Sequence, residues 1–247
     1  MRTIESGLSR AAALCWLLGS WLLANGLTHL LVWFTTGRIY YQLPPAGSLA
    51  AEASIDLLNF IIPLLVMRWR FRETSIVAAV GWRWTGARVV YWALAGFLLF
   101  MGVSILANHA FRNQTIEYAP AASSPLTQGD LRMLTLVLLF LPAAGEEMMF
   151  RGFLQGYCTR FYGRVVGLLL PAVLFAARHH PSDVYFGRLH HASAAAWANR
   201  FVQLYLLALI LGFVRLKARS TWASWLVHTG IIALIIVVGQ LWKAFVP

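Results

Sequence analysis

The chain has 247 residues, of which 60% are hydrophobic and only 12% are charged. One soluble core cannot bury that apolar fraction, so the composition excludes an ordinary soluble domain and indicates an integral membrane protein. The formal net charge of +11 would also suit nucleic-acid binding, but the sequence lacks the interleaved basic and aromatic residues of a soluble nucleic-acid platform.

Apolar stretches recur along the chain at about 17 to 25 residues, the length that a helix needs to cross a bilayer. The sequence therefore predicts an all-α fold, a polytopic transmembrane bundle of about seven spans, with eight as the alternative, in one domain over 1–247. The first stretch is too long to be a removable signal peptide. The predicted spans are 11–35, 48–67, 89–110, 132–157, 165–180, 200–216 and 221–244.

Basic residues are distributed unevenly between the loops. The loop 68–88 holds five arginines and the segment 215–219 is also basic, whereas 36–49 and 111–131 hold one arginine each. Because basic loops remain in the cytoplasm, this pattern predicts a cytoplasmic N-terminus and an external C-terminus. The segment 112–130 is rich in Pro, Ser and Ala and predicts an exposed loop. The segment 182–200 is expected to form a short helix at the membrane interface.

The fourth predicted span carries the charges Glu146, Glu147 and Arg151 near the middle of the bilayer. Each ionised residue at that depth opposes insertion by about 2.5 to 3.5 kcal/mol, so the bundle has to shelter all of them. Glu147 and Arg151 are four positions apart on one helix face, in the order that favours an ion pair. Glu146 is rotated from Glu147 by about 100° and needs a partner from another helix.

Polar partners for Glu146 occur on later spans. His179 lies in the fifth span with Phe175 one turn before it, and His228 lies in the seventh span with Ser224 one turn before it. A carboxylate and a histidine can share a water that the carboxylate deprotonates, while a second histidine or a hydroxyl donates to the developing oxyanion.

Structural roles are the alternative for each of these polar groups. Glu147 and Arg151 would then only fix the rotation of the helix, and Glu146 would be a hydrogen-bonded acid of the core. Asp56, Glu52 and His29 have no motif around them, and packing or interface roles are expected for them. Cys15 and Cys158 lie in or beside separate apolar spans and indicate neither a disulfide framework nor a zinc site.

Three segments resemble the motifs of the CPBP family, the CAAX protease and bacteriocin-processing enzymes, also called Abi. The family motifs are EExxxR, FxxxH and HxxxN. The residues E-E-M-M-F-R at 146–151 and F-A-A-R-H at 175–179 match the first two at every defined position. The stretch at 207–228 has the Gly, Ser and His layout of the third, and the similar region covers 132–245.

The resemblance implies a glutamate-type intramembrane protease, a helical bundle around a polar, water-filled cavity, with no cofactor. Glu146 would activate the water, His179 would hold it or share the proton transfer, and His228 would help form the oxyanion site. Glu147 and Arg151 would support the site or bind substrate. The implied substrate is a membrane-associated protein or peptide, and the implied location is a bacterial cytoplasmic membrane.

One position departs from the resemblance, because Ile232 stands where the family has the Asn of its third motif. An aliphatic side chain cannot donate to an oxyanion, so Ser224, Thr229 or a backbone group would have to replace it. This departure favours the rival hypothesis of a catalytically silent membrane scaffold or bacteriocin-immunity protein.

Other protease chemistries leave little trace in the sequence. It contains no HExxH, GxSG or GxGD motif, which argues against the corresponding zinc, serine and aspartate intramembrane proteases. A zinc-dependent membrane protease that uses Glu146, His179 and His228 as ligands stays open on residue type. No internal repeat indicates a two-halved transporter.

Overall fold

The computed structural model describes residues 9–37, 45–111, 143–185 and 193–245, and these ranges contain helices and no strand. The predicted loop 112–130, and residues 132–142 of the fourth predicted span, lie outside the described residues. A π-helix, Glu147–Leu154, directly precedes α5. The α-helices are α1 Arg10–Thr36, α2 Pro45–Trp69, α3 Ile76–Val80, α4 Ala87–Ala110, α5 Gln155–Tyr162, α6 Arg164–Tyr185, α7 Ala194–Ala218 and α8 Thr221–Phe245.

Four of the described helical stretches are long and apolar enough to cross a membrane by length and composition: Arg10–Thr36, Ala50–Trp69, Ala87–Ala110 and Ala194–Ala218. Thr221–Leu234 is a shorter apolar helix. The predicted all-α, polytopic membrane bundle is confirmed. The helices that contain the charged residues of the fourth and fifth predicted spans are less uniformly apolar, because they carry the polar centre described below.

The helix boundaries differ from the prediction around α6 and α7. Within the segment 182–200, predicted as a short interfacial helix, residues 182–185 belong to the end of α6 and residues 194–200 to the beginning of α7, and 186–192 lie outside the described residues. Ser193 caps α7 by accepting a hydrogen bond from the backbone N of Ala196 at 3.2 Å. Three alanines follow this cap, and their high helix propensity extends α7 further toward its N-terminus than hydropathy suggested.

One end of the bundle gathers the basic loops. The Thr85 hydroxyl donates to the carbonyl of Ala218 at 3.0 Å, and the backbone N of Thr221 donates to the carbonyl of Gly81 at 2.8 Å. The α3 loop and the α7–α8 turn are therefore neighbours. At the same end, the Tyr162 hydroxyl donates to the carbonyl of Arg10. The two clusters of basic residues that predict the membrane orientation thus lie on one face of the protein.

The π-helix occupies the centre of the bundle. It packs against α1, α2, α3, α6, α7 and α8, and all of its residues are buried. Gly145, just before it, allows an unusually close approach of α2, since a Cβ at this position would lie 2.2 Å from the carbonyl oxygen of Asp56. Small residues permit such backbone contact between membrane helices. This contact brings α2 beside the charged residues of the fourth predicted span.

Candidate active site

The first predicted motif lies on the π-helix and not on a regular α-helix. The prediction of one continuous α-helix over this segment is therefore wrong for Glu147–Leu154. A π-helical turn is rare and is frequently found at functional sites. Glu146 immediately precedes this segment and Glu147 begins it, and both side chains reach the same imidazole, that of His228.

The predicted pair of Glu147 and Arg151 is confirmed. Arg151 Nη1 lies 3.2 Å from Glu147 Oε1, and the side chains are 2% and 0% exposed. Arg151 also donates through Nη2 to the carbonyl of Ala208 on α7 at 3.4 Å, and its guanidinium lies 4.5 Å from the centre of the Phe175 ring. A buried charge requires such partners, because an unpaired one is costly in a medium of low dielectric constant.

The side chains of Glu146, His179 and His228 converge from three separate segments. His179 Nε2 lies 3.7 Å from Glu146 Oε1, and His228 Nε2 lies 3.5 Å from Glu146 Oε2. A water shared by Glu146 and His179 would place their side chains roughly 5 to 6 Å apart. The observed separation is shorter, so the carboxylate and the imidazole nearly touch. The water-filled cavity therefore stays a prediction, and the structure shows a polar cluster in its place, in which His179 is the half-buried member.

A second guanidinium, that of Arg178, contacts Glu146, and this contact was not predicted from the sequence. Arg178 donates through Nη1 to Glu146 Oε1 and through Nη2 to Asp56 Oδ1 at 2.7 Å. Asp56 therefore does more than pack at an interface, which corrects the role expected for it. Hydropathy places Arg178 near the outer end of its span, yet α6 continues past it to Tyr185. The pairing of Arg178 with Asp56 and Glu146 had one signal in the sequence, which is that charged residues in separate membrane spans tend to pair with opposite charges.

Backbone and carboxylate contacts orient both histidines. His179 Nδ1 lies 2.9 Å from the carbonyl oxygen of Phe175, and His228 Nδ1 lies 3.1 Å from Glu147 Oε1. Both oxygens are acceptors, so in each ring Nδ1 carries the hydrogen and Nε2 is the nitrogen directed at Glu146. The Phe175 ring contacts both imidazoles, with centroid distances of 4.7 Å to His179 and 5.9 Å to His228.

Residues 128–234 match the family model described as type II CAAX prenyl endopeptidase Rce1-like. The matched family is the CPBP family, and the match covers residues 128–234, less than half of the chain. The family is one of CAAX-type intramembrane proteases, and the matched residues include Glu146, His179 and His228 but not Asp56. No curated protein and no solved structure matches the chain.

The third CPBP motif is the one in which this chain departs from the matched family. Ser224 is buried, and its hydroxyl donates to the carbonyl of Thr221 at 3.0 Å, within α8. The Thr229 hydroxyl oxygen is buried and has no hydrogen-bond partner among the described residues. Ile232 is half-buried on the same helix, one turn after His228.

The residues around Glu146 also bear on metal binding. The described part of the chain has no group of three or more His, Cys, Asp and Glu side chains arranged to hold a metal ion. At Glu146, a guanidinium already occupies Oε1. A cation next to that oxygen opposes the binding of a second cation there.

Proposed function

We propose that this CPBP protein is a glutamate-type intramembrane endopeptidase that hydrolyses a peptide bond of a membrane-associated protein or peptide. The observation that carries the proposal is the 3.7 Å approach of His179 Nε2 to Glu146 Oε1. Glu146 is buried in the bundle and His179 is half-buried beside it, and both stand at positions that the family motifs share.

The protonation states of Glu146 and His179 favour a water bound between the two side chains. His179 Nδ1 donates to the carbonyl of Phe175, so Nε2 of the neutral ring is an acceptor, as is the ionised carboxylate of Glu146. Two acceptors in such proximity repel each other unless a donor lies between them. A water that donates one hydrogen to the carboxylate and one to the imidazole would enter between them and move the two atoms from the observed 3.7 Å to roughly 5 Å apart. Its oxygen lone pairs would then be directed at a substrate carbonyl.

The reaction follows from this arrangement. The water oxygen forms a bond to the carbonyl carbon while Glu146 accepts a proton, and the former carbonyl oxygen becomes an oxyanion. His228, whose Nδ1 is held by Glu147, would donate from Nε2 to that oxyanion when it carries a second proton. The C–N bond then breaks, and the proton on Glu146 passes to the leaving amine. The products are a new carboxyl terminus and a new amino terminus.

The setting of the reaction is a lipid bilayer. The basic loops at one end of the bundle favour an orientation with the N-terminus in the cytoplasm, in a bacterial cytoplasmic membrane. The substrate has to bring its scissile bond to a buried site, which favours a peptide that is itself anchored in or at the membrane. No cofactor takes part in the proposed chemistry, and no nucleic acid is a partner.

A cleavage assay in liposomes tests the proposal. The probe is a farnesylated peptide with a CAAX-type tail, chosen because the matched family is described as a CAAX prenyl endopeptidase. The purified chain should cut it, and in water labelled with heavy oxygen one label should enter the new carboxyl terminus. A folded Glu146→Gln variant should leave the peptide intact. An intact peptide with the parent chain, or equal cleavage by the variant, would contradict the proposal.

Ile232 favours one second candidate, a catalytically silent scaffold or immunity protein of the same family. Such a protein would keep the polar cluster for folding or partner binding alone. In the liposome assay it would leave the probe peptide unchanged and would not distinguish the parent from the Glu146→Gln variant.

A further inference from the structure

Arg178 joins two carboxylates that come from distant parts of the chain. Its Nη1 donates to Glu146 Oε1, and its Nη2 lies 2.7 Å from Asp56 Oδ1. Asp56 is on α2, outside the residues 128–234 that match the family. The N-terminal part of the chain therefore contributes a charged group to the cluster around Glu146.

We propose that Asp56 and Arg178 are positioning residues that hold the carboxylate of Glu146 against His179 and His228, so that α2 is a functional part of the active site. This inference rests on the proposed function, because it assigns a role in the same reaction. It adds two residues at positions that the three family motifs leave undefined or do not include, and one of them lies outside the matched region.

The geometry of the guanidinium supports this role. A guanidinium is planar and its donors have fixed directions, so anchoring one nitrogen fixes the direction of the others. Asp56 is 2% exposed, and the Arg178 side chain is 12% exposed. With Nη2 fixed by Asp56, Nη1 can approach Glu146 from one direction only. The approach is to Oε1, the same oxygen that faces His179, which leaves Oε2 directed at His228.

The backbone around Asp56 fixes its distance from Glu146. A Cβ on Gly145 would lie 2.2 Å from the carbonyl oxygen of Asp56, so the two main chains touch directly beside Glu146. On the next turn of α2, fully buried Asn59 accepts from Asn25 of α1 at 3.4 Å and donates back to it at 3.3 Å. These contacts fix both the separation and the rotation of α2. The Asp56 carboxylate is thereby a rigid anchor for Arg178.

The test compares kcat and KM of the parent chain with those of D56N, R178Q, R178K and the double variant D56N/R178Q, in liposomes with the farnesylated probe peptide. We expect D56N and R178Q to lower kcat by on the order of 100-fold with KM nearly unchanged, because the catalytic carboxylate is misplaced. R178K keeps the positive charge but lacks the planar, two-pronged guanidinium. Its kcat should therefore lie between that of R178Q and that of the parent. The double variant should be no slower than R178Q, because the two residues act as one unit.

A matched ion pair supplies the control. Arg160 Nη1 lies 3.1 Å from Glu73 Oε1 and also joins two segments, but at the end of the bundle that carries the basic loops. The variants E73Q and R160Q should retain the parent kcat. Thermal unfolding in detergent is measured for every variant. If R178Q does not fold, kcat of R178K and of the double variant is compared with that of the parent.

Two results would overturn the inference while the proposed function stands. One is that the D56N and R178K variants fold and have the same kcat as the parent chain. The other is a loss of kcat that E73Q and R160Q share and that follows the loss of thermal stability in all variants. Failure of the proposed function itself would look different, because the parent chain and E146Q would then be equally inactive on the probe.

Discussion

His228 Nδ1 lies 3.1 Å from Oε1 of Glu147, so the second glutamate of the first motif is linked to the last helix of the bundle. The same carboxylate oxygen is 3.2 Å from Arg151 Nη1. Glu147 therefore neutralises a buried guanidinium and at the same time fixes the orientation of an imidazole whose other nitrogen faces Glu146. Structural and catalytic roles of this residue are separable by substitution.

Substitution of Arg151 with Met should destabilise the protein, because it leaves the fully buried Glu147 without its cation. The loss of one partner of a buried ion pair costs about 3 to 5 kcal/mol. The double variant Glu147→Gln with Arg151→Met removes both charges and should recover most of the thermal stability. It should not recover activity, because a neutral amide at this position no longer holds His228 as a carboxylate does. Unfolding temperature and kcat, measured together, check both parts; an active double variant would contradict the role of Glu147 in orienting His228.

Substitution of Gly145 with Ala should lower both stability and kcat. The new Cβ would lie 2.2 Å from the Asp56 carbonyl oxygen, so α2 has to move away and take Asp56 with it. A displacement of about 1 Å in such a site can reduce the rate on the order of 100-fold.

Gly102→Ala on α4 is the matched control, because no atom lies within 4 Å of its Cβ position. It should stabilise the helix by about 0.5 to 1 kcal/mol and leave the rate unchanged. Equal behaviour of the two alanine variants in unfolding and cleavage assays would rule out the close α2 contact.

Substitution of Ile232 with Asn should raise kcat. The change restores the family's third motif one turn after His228 and supplies an amide donor for the oxyanion. Loss of one such donor in other enzymes costs on the order of 100-fold or more in rate, and the gain here should approach that size. Ile232→Leu, which adds no donor, is the control and should match the parent. If the Ile232→Asn variant folds and is no faster than the Ile232→Leu variant, this position does not serve the oxyanion.

Chelators separate the glutamate mechanism from the zinc alternative. Dialysis of the parent chain against a strong zinc chelator should leave kcat on the probe peptide unchanged, because the proposed water is activated by Glu146 and His179 alone. Zinc added afterwards should have no effect on the rate. Loss of activity on chelation, with recovery on addition of zinc, would contradict the glutamate mechanism and support the zinc mechanism.

The parts of the site that could be predicted from sequence are local or belong to a motif. The pairing of Glu147 with Arg151 follows from a spacing of four residues. His179 and His228 were candidate partners of Glu146 by residue type, and the family resemblance supported their convergence, since spacing alone does not say which faces of separate helices meet. The role of Arg178 escaped prediction because its partner Asp56 is 122 positions away in the chain.

The local geometry of the fourth predicted span was also beyond prediction. The residues of the π-helix have the composition of an α-helix, so the change of hydrogen-bond spacing from four residues to five leaves no signal in the sequence. The end of α6 was misplaced for a similar reason. Its last turns are polar by composition, and a polar segment is typical of a chain that leaves the membrane.

The central claim is that Glu146 and His179 together activate a water, and single-turnover cleavage by two conservative variants tests it most directly. Glu146→Gln and His179→Gln keep side chains that can form hydrogen bonds but remove the base and the ring nitrogen. Each folded variant should cleave the farnesylated peptide at least about 100-fold more slowly than the parent. The double variant should lose little more than either single one. Cleavage at the parent rate by either variant, with an unfolding temperature equal to that of the parent, would contradict the claim.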